Sequence, residues 1–138
     1  MSNDKLDKLV TINQLHVEPF SQSEFDGLML SGKLRLKDAK NESLSLESRF
    51  DLAYNASHAL SLAALRWHGY RSGSRYLVFQ CLRHTLDLPN ELWRVMDRAH
   101  RKRNLAEYEG HVEVDGRLVD ALIRVAIEVA DRVSNLHR

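Results

Sequence analysis

The chain has 138 residues, of which 43% are hydrophobic and 28% charged, enough apolar content for one compact domain with its own core. A formal net charge of +1 gives no overall pull toward nucleic acid, so any such affinity has to come from a local concentration of charge. The single cysteine, Cys81, excludes an internal disulfide and points to a reducing compartment.

Residues 3–12 read as a short leading helix in which charges alternate with Leu6 and Leu9, with no apolar core of a signal peptide. Residues 10–20 follow as a hinge between it and a core bundle spanning 21–137. The capping pattern Ser21-Gln22-Ser23-Glu24 opens a helix to about Lys40, with Phe25, Leu28, Met29, Gly32, Leu36 and Ala39 on one face. A second helix is expected over 45–68. Its stripe of Phe50, Ala53, Ser57, Leu60, Ala64 and Trp67, flanked by Ala56, Ala59 and Ala63, suits a central helix that neighbours approach closely. The run of weak charge over 52–65 is too short to span a bilayer, so the chain is expected to be cytoplasmic and without a membrane partner.

Gly69-Tyr70-Arg71-Ser72-Gly73-Ser74-Arg75 reads as a loop, in which Arg71 and Arg75 are either flexible connectors or phosphate contacts. A third helix is predicted over 75–86, holding Cys81 as a packed thiol, and ends at Leu88-Pro89. The fourth runs over 90–107 with Asn90 as its cap. In the fifth, Leu118, Leu122, Val125, Val129, Val133 and Leu136 repeat at helical steps after Val114-Asp115-Gly116. Val119, Ile123, Ala126 and Ala130 widen that stripe beyond one core face, which suggests a surface for a second copy. Short loops between antiparallel helices make residues 1–138 a single all-α domain, an up-and-down bundle of four to five helices.

The most informative segment lies in the fourth helix. Arg94, Arg98, Arg101, Lys102 and Arg103 stand against Asp97 alone, and on the helical wheel Arg103 falls on the side of Leu92, Val95, Met96, Ala99 and Ala106. An unpartnered guanidinium in a buried stripe costs several kcal/mol. Arg103 therefore either pairs with Glu107 one turn on or meets a subunit interface or an anionic ligand. Arg98, Arg101 and Lys102 form either a solvated helix face or a nucleic-acid track, and Trp67, Trp93 and Tyr54 read as packing residues rather than base-stacking platforms. No His-x-x-x-His pair with a carboxylate, P-loop or Gly-x-Gly-x-x-Gly is present, so neither a metal site nor a cofactor is implied.

The run from Ser45 to Ala56, followed by His100 through Gly110, resembles the HEPN superfamily of small helical bundles, and the resemblance covers roughly residues 21–135. It implies a homodimer and, in many members, a metal-independent ribonuclease of toxin or defence systems. Active members carry an arginine, often followed by asparagine, and a histidine four to six residues beyond. Arg103-Asn104 matches the first half of that motif, and Tyr108 stands where the histidine would be. Arg103, Asn104 and Tyr108 are thus the expected catalytic set, and Arg98, Arg101 and Lys102 the expected nucleic-acid contacts.

Such a motif suits RNA cleavage because attack by a 2′-hydroxyl builds charge on phosphate oxygens that a forked guanidinium stabilises. A tyrosine titrating near about 10 is a poor base, although it can donate a proton, orient a phosphate or stack on a base. Arg94 and His100 satisfy the spacing but point about 120° apart on a continuous helix. His111 lies beyond the usual spacing and reads as an exposed loop residue. The resemblance also admits a noncatalytic reading, a dimeric interaction module paired with a nucleotidyltransferase in a toxin-antitoxin pair, in which a tyrosine near the motif is modified by that partner.

Overall fold

The computed structural model describes residues 4–110 and 113–137, so His111 lies outside the described residues. Four long helices carry the architecture: α2 (Gln22–Ala39), α3 (Leu46–Trp67), α6 (Asn90–Glu109) and α7 (Gly116–Ser134). Smaller elements fill the gaps: α1 (Asp4–Thr11), a two-residue strand β1 (His16–Val17), its partner β2 (Tyr70–Arg71), α4 (Arg75–Gln80) and α5 (Leu82–Thr85). The helices start where short polar side chains satisfy the first backbone N–H groups. Ser21 accepts from the Glu24 N–H, Ser45 from Ser48, Ser74 from Leu77, and Asp115 from Arg117.

Inter-helix contacts fix the directions. The α2–α3 pair is antiparallel, because Arg66 meets Glu24 at one end, Gly32 faces Leu60 in the middle, and the Arg49 Nε–H donates to the Ala39 carbonyl at the other. Asp51 with Arg103, Tyr54 with His100, and Ser61 with Met96 make α6 antiparallel to α3. Arg49 meets Asp120 where α3 and α7 begin, and His68 and Arg132 at their far ends both reach the backbone carbonyls of residues 85–87, so α7 is parallel to α3. The result is up, down, up, down, with α4 and α5 inserted between the second and third long helices. The core is continuous from Met29 and Leu36 through Phe50, Tyr54, Leu60 and Phe79 to Met96, Leu122 and Val129. Among the described residues no helix is long and apolar enough to cross a membrane.

Several expectations need correction. Residues 10–20 are not a hinge: β1 pairs antiparallel with β2, His16 opposite Arg71 and Val17 opposite Tyr70, and Leu6 and Leu15 are buried with Leu65, Leu77, Val78 and Cys81 in a second, smaller core. Part of the 69–75 loop is therefore a strand, entered through Gly69 at φ +87°, a backbone conformation that costs glycine little. The helix expected over 75–86 is broken at Cys81, where α4 gives way to α5. The two cores explain the break, since α4 turns Phe79 to the main one and Leu77 and Val78 to the smaller one, while α5 returns Leu82 to the main one.

Asn90 does not cap α6; the Leu92 and Trp93 N–H groups close on the Pro89 carbonyl, and Asn90 Oδ1 instead accepts from Trp93 Nε1 at 3.1 Å. Finally, the wide stripe of α7 is used up within the chain. Val119, Ile123, Ala126 and Ala130 are all buried, so this face offers no surface for a second copy.

Arg66 holds the amino-terminal arm to the bundle. It is only 1% exposed. Its Nε–H donates to Glu24 Oε1 at 2.5 Å, and its other nitrogens donate to the carbonyls of Glu18 at 2.9 Å, Pro19 at 2.6 Å and Tyr70 at 3.3 Å. Arg71 closes the same network against Glu18 and Glu24. Both arginines hold the Glu24 carboxyl below its ordinary range, the Arg66 hydrogen bond being the larger cause. A buried guanidinium is tolerated here because every direction in which it donates meets an acceptor.

Candidate functional site

Antiparallel packing of α3 on α6 brings two sets of side chains face to face. From α3 come Asp51, Tyr54, Asn55 and His58, spaced so that they follow one edge of the helix; from α6 come His100, Arg103, Asn104 and Glu107. The start of α4 adds Arg75, which the Ser74 cap places beside them. Tyr54 is the centre of the group. Its ring is buried against Phe50 and Phe79, with the Arg103 guanidinium carbon 5.0 Å and the Arg75 guanidinium carbon 5.5 Å from its centroid.

The polar geometry sets the protonation pattern. His100 Nδ1 lies 2.9 Å from the Tyr54 hydroxyl, and His100 Nε2 lies 3.1 Å from Asn104 Nδ2. With the amide of Asn104 donating, Nε2 is the acceptor and Nδ1 carries the hydrogen given to Tyr54. Burial lowers the His100 pKa from its ordinary value, with Arg75 adding to the effect, and the imidazole is neutral at pH 7. Burial likewise raises the Tyr54 pKa, which keeps its phenol protonated. A second histidine, His58, stands edge-on to Phe79 and is pushed down to about 4 by burial, then by Arg75 and His100. The cluster thus holds a neutral base, a neutral phenol and two permanent cations.

Arg103 is 28% exposed, held by Asp51 Oδ1 at 3.2 Å and Glu107 Oε1 at 3.8 Å. The pairing with Glu107 is therefore present, joined by a carboxylate from a different helix. Both carboxylates are solvated, so each pair contributes about 0–1 kcal/mol and leaves the guanidinium free to exchange them for another anion. Two cavities meet at Arg103. One of about 350 Å³ is lined by Tyr54, Gly73, Arg75, His100, Arg103, Asn104 and Glu107. The other, about 380 Å³, lies beyond Glu107 and is lined by Glu47, Ser48, Phe50, Asp51, Ala106 and Gly110 as well. Arg75 and Arg103 against Glu107 leave the first cavity cationic, whereas Glu47, Asp51 and Glu107 make the second acidic. An anion is favoured in the first.

The structure brings Arg103 and Asn104 together but not Tyr108, whose side chain is 94% exposed and lines neither cavity. Arg98 and Arg101 are on the other side of α6, around a shallow hollow with Glu91, Trp93, Arg94 and Asp97, where Arg101 pairs with Asp97. Lys102 is half-buried and lines neither this hollow nor the cationic cavity. The sequence offers His100 only as a partner for Arg94, from which it points away, and gives Tyr54 a packing role alone; the partner that His100 meets lies on α3. The signal was available: positions 100, 103, 104 and 107 share one helical face by the i, i+3, i+4 rule.

Cys81 is buried, and burial pushes its thiol up to about 11, so it is a packed side chain without nucleophilic character. Among the described residues no group of three or more His, Cys, Asp or Glu side chains is placed to hold a metal ion. Comparison of the chain with protein-family models, with curated proteins and with solved structures finds no match.

Proposed function

We propose that this chain is a HEPN-like, homodimeric protein of the cytoplasm that binds RNA or a nucleotide in the cationic cavity at Arg103 and cleaves RNA without a metal. The observation that carries this reading is the hydrogen-bonded Tyr54–His100–Asn104 chain lying between the guanidinium groups of Arg75 and Arg103. A phosphodiester seated there has its two non-bridging oxygens opposed by the arginines. His100 Nε2 takes the proton of the ribose 2′-hydroxyl in place of the Asn104 amide, and the 2′-oxygen bonds to phosphorus. The bond from phosphorus to the 5′-oxygen breaks, leaving a 2′,3′-cyclic phosphate. The departing oxygen takes the Tyr54 proton, and Tyr54 regains one from His100 Nδ1; His100 is left neutral with its hydrogen on Nε2, and proton exchange with water returns it to the Nδ1–H form before the next turnover. His100 thus does the work assigned by motif spacing to the position of Tyr108, and Asn104 orients it.

The test is binding and cleavage of a short single-stranded RNA in EDTA. Arg103→Ala is expected to weaken binding at least tenfold and cost less than about 2 kcal/mol of stability. His100→Gln keeps binding and lowers cleavage by roughly 100-fold, while Tyr108→Phe leaves both unchanged. Equal RNA binding by Arg103→Ala ends the proposal.

A second reading has one observation of its own. Tyr108 is exposed near the end of α6, accessible to an enzyme that modifies it, as expected for the noncatalytic partner of a nucleotidyltransferase. Mass spectrometry of the protein made with and without its genomic neighbour separates the two; an unmodified Tyr108 in both removes the second.

A further inference from the structure

A further cavity adjoins the cationic one. Along the segment that leaves β2 the residues alternate between the two spaces: Gly73 and Arg75 line the cationic cavity, whereas Ser72, Ser74 and Tyr76 line another of about 480 Å³. The wall between them is one chain thick. Asn13 and Gln14 of the amino-terminal arm and Gln80 of α4 complete the polar lining, and no charged side chain takes part.

Tyr76 stands where the two spaces meet. Its ring centroid lies 5.8 Å from that of His100, its hydroxyl accepts from Gln80 Nε2 at 3.3 Å, and it is still 40% exposed. An aromatic ring positioned in this way and open to solvent is a stacking platform for a flat ligand. Gly73 is the low point of the wall. A Cβ there would meet no atom within 4 Å, and its φ is not positive, so neither packing nor backbone needs a glycine. Its bare backbone lets a ligand cross closely from one cavity to the other.

One space is cationic and its neighbour is neutral but rich in hydrogen-bonding groups, and a nucleotide divides in the same way into a charged phosphate and an uncharged base. A side-chain amide sets a donor beside an acceptor. Adenine offers the complementary pair on two edges, N6–H with N1 and N6–H with N7, so amides from the arm and from α4 can hold one ring together. We propose that this cavity is an adenine subsite for the nucleotide on the 5′ side of the cut, stacked on Tyr76 and read by Asn13, Gln14 and Gln80. His100, beside Tyr76, takes the 2′-hydroxyl proton of that same nucleotide, which fixes the side. The subsite rests on the RNA reading of the Arg103 cavity and adds a base preference to it.

The probes are a short oligouridylate and the same oligomer carrying one adenosine, both in EDTA. The wild-type chain is expected to bind the adenosine oligomer more tightly by about tenfold or more, and to cut it after the adenosine, leaving adenosine 2′,3′-cyclic phosphate. Asn13→Gly/Gln14→Ala removes two amides, and the glycine keeps the left-handed backbone at residue 13, where φ is +64°. Gln80→Met removes the third at similar volume. Each variant is expected to bring the ratio of the two affinities close to one with helical circular dichroism unchanged, whereas damage to the fold would weaken both oligomers together. Equal binding of the two oligomers by the wild-type chain, or a preference that survives both variants, overturns the subsite and leaves the Arg103 reading standing. Binding of neither oligomer removes both.

Discussion

Arg103 shows how a local rule and a tertiary neighbour combine. The helical wheel places it on the apolar side of α6, and the structure confirms the half-buried position; the company it keeps there, Tyr54 and Asp51, comes from α3 and has no signature in the local sequence. His58 gives the site a measurable pH signature. Its folded pKa of about 4 lies below the unfolded value of 6.5, so the unfolded chain binds more protons between these limits. Stability is full above pH 6.5 and falls as the solution is acidified toward pH 4, by on the order of 2 kcal/mol after discounting for partial exposure. Urea melts at pH 7 and pH 4.5 measure the loss. His58→Gln is expected to flatten that part of the profile, and an unchanged profile would assign the loss to other groups. Tyr108 satisfies the motif spacing, yet spacing ignores angle: it is about 140° around the helix from Arg103.

At the scale of elements, starts were more legible than interruptions. Ser21, Ser45 and Asp115 cap helices where the sequence puts them, because capping is a local reaction between one side chain and the next turn. The break at Cys81 has no such marker; no proline or glycine interrupts residues 75–86, and the helix divides because two separate cores compete for its side chains. The α2–α3 contact depends on a missing side chain. Gly32→Val drives its Cβ into Leu60, and neither backbone can withdraw without opening the core around Ala56. A loss of about 2–3 kcal/mol is expected from overpacking, read as a lower urea midpoint at unchanged slope. A variant as stable as the parent would show the two helices to be less tightly juxtaposed.

Over the whole molecule, the all-α class and the four long helices were readable from periodicity, whereas the attachment of the amino-terminal arm was not. That attachment depends on Arg66, which looks like an ordinary basic residue near a helix end and becomes structural only when three carbonyls and a carboxylate converge on it. Arg66→Met should cost about 3 kcal/mol, much of it from the carbonyls left without donors. The loss should appear first in the arm, as faster amide exchange over residues 4–18 than over α7. Uniform acceleration across both would mean that arm and bundle open as one unit.

The smaller core contains one reactive atom, and that gives the protein a clock. The Cys81 sulfur is buried in the same small core as Leu6 and Leu15 and is protonated under ordinary conditions. An alkylating reagent therefore meets it only in molecules whose small core has opened. Rates of labelling against reagent concentration time the departure and return of residues 4–20, with no probe introduced and no other thiol to confuse the signal.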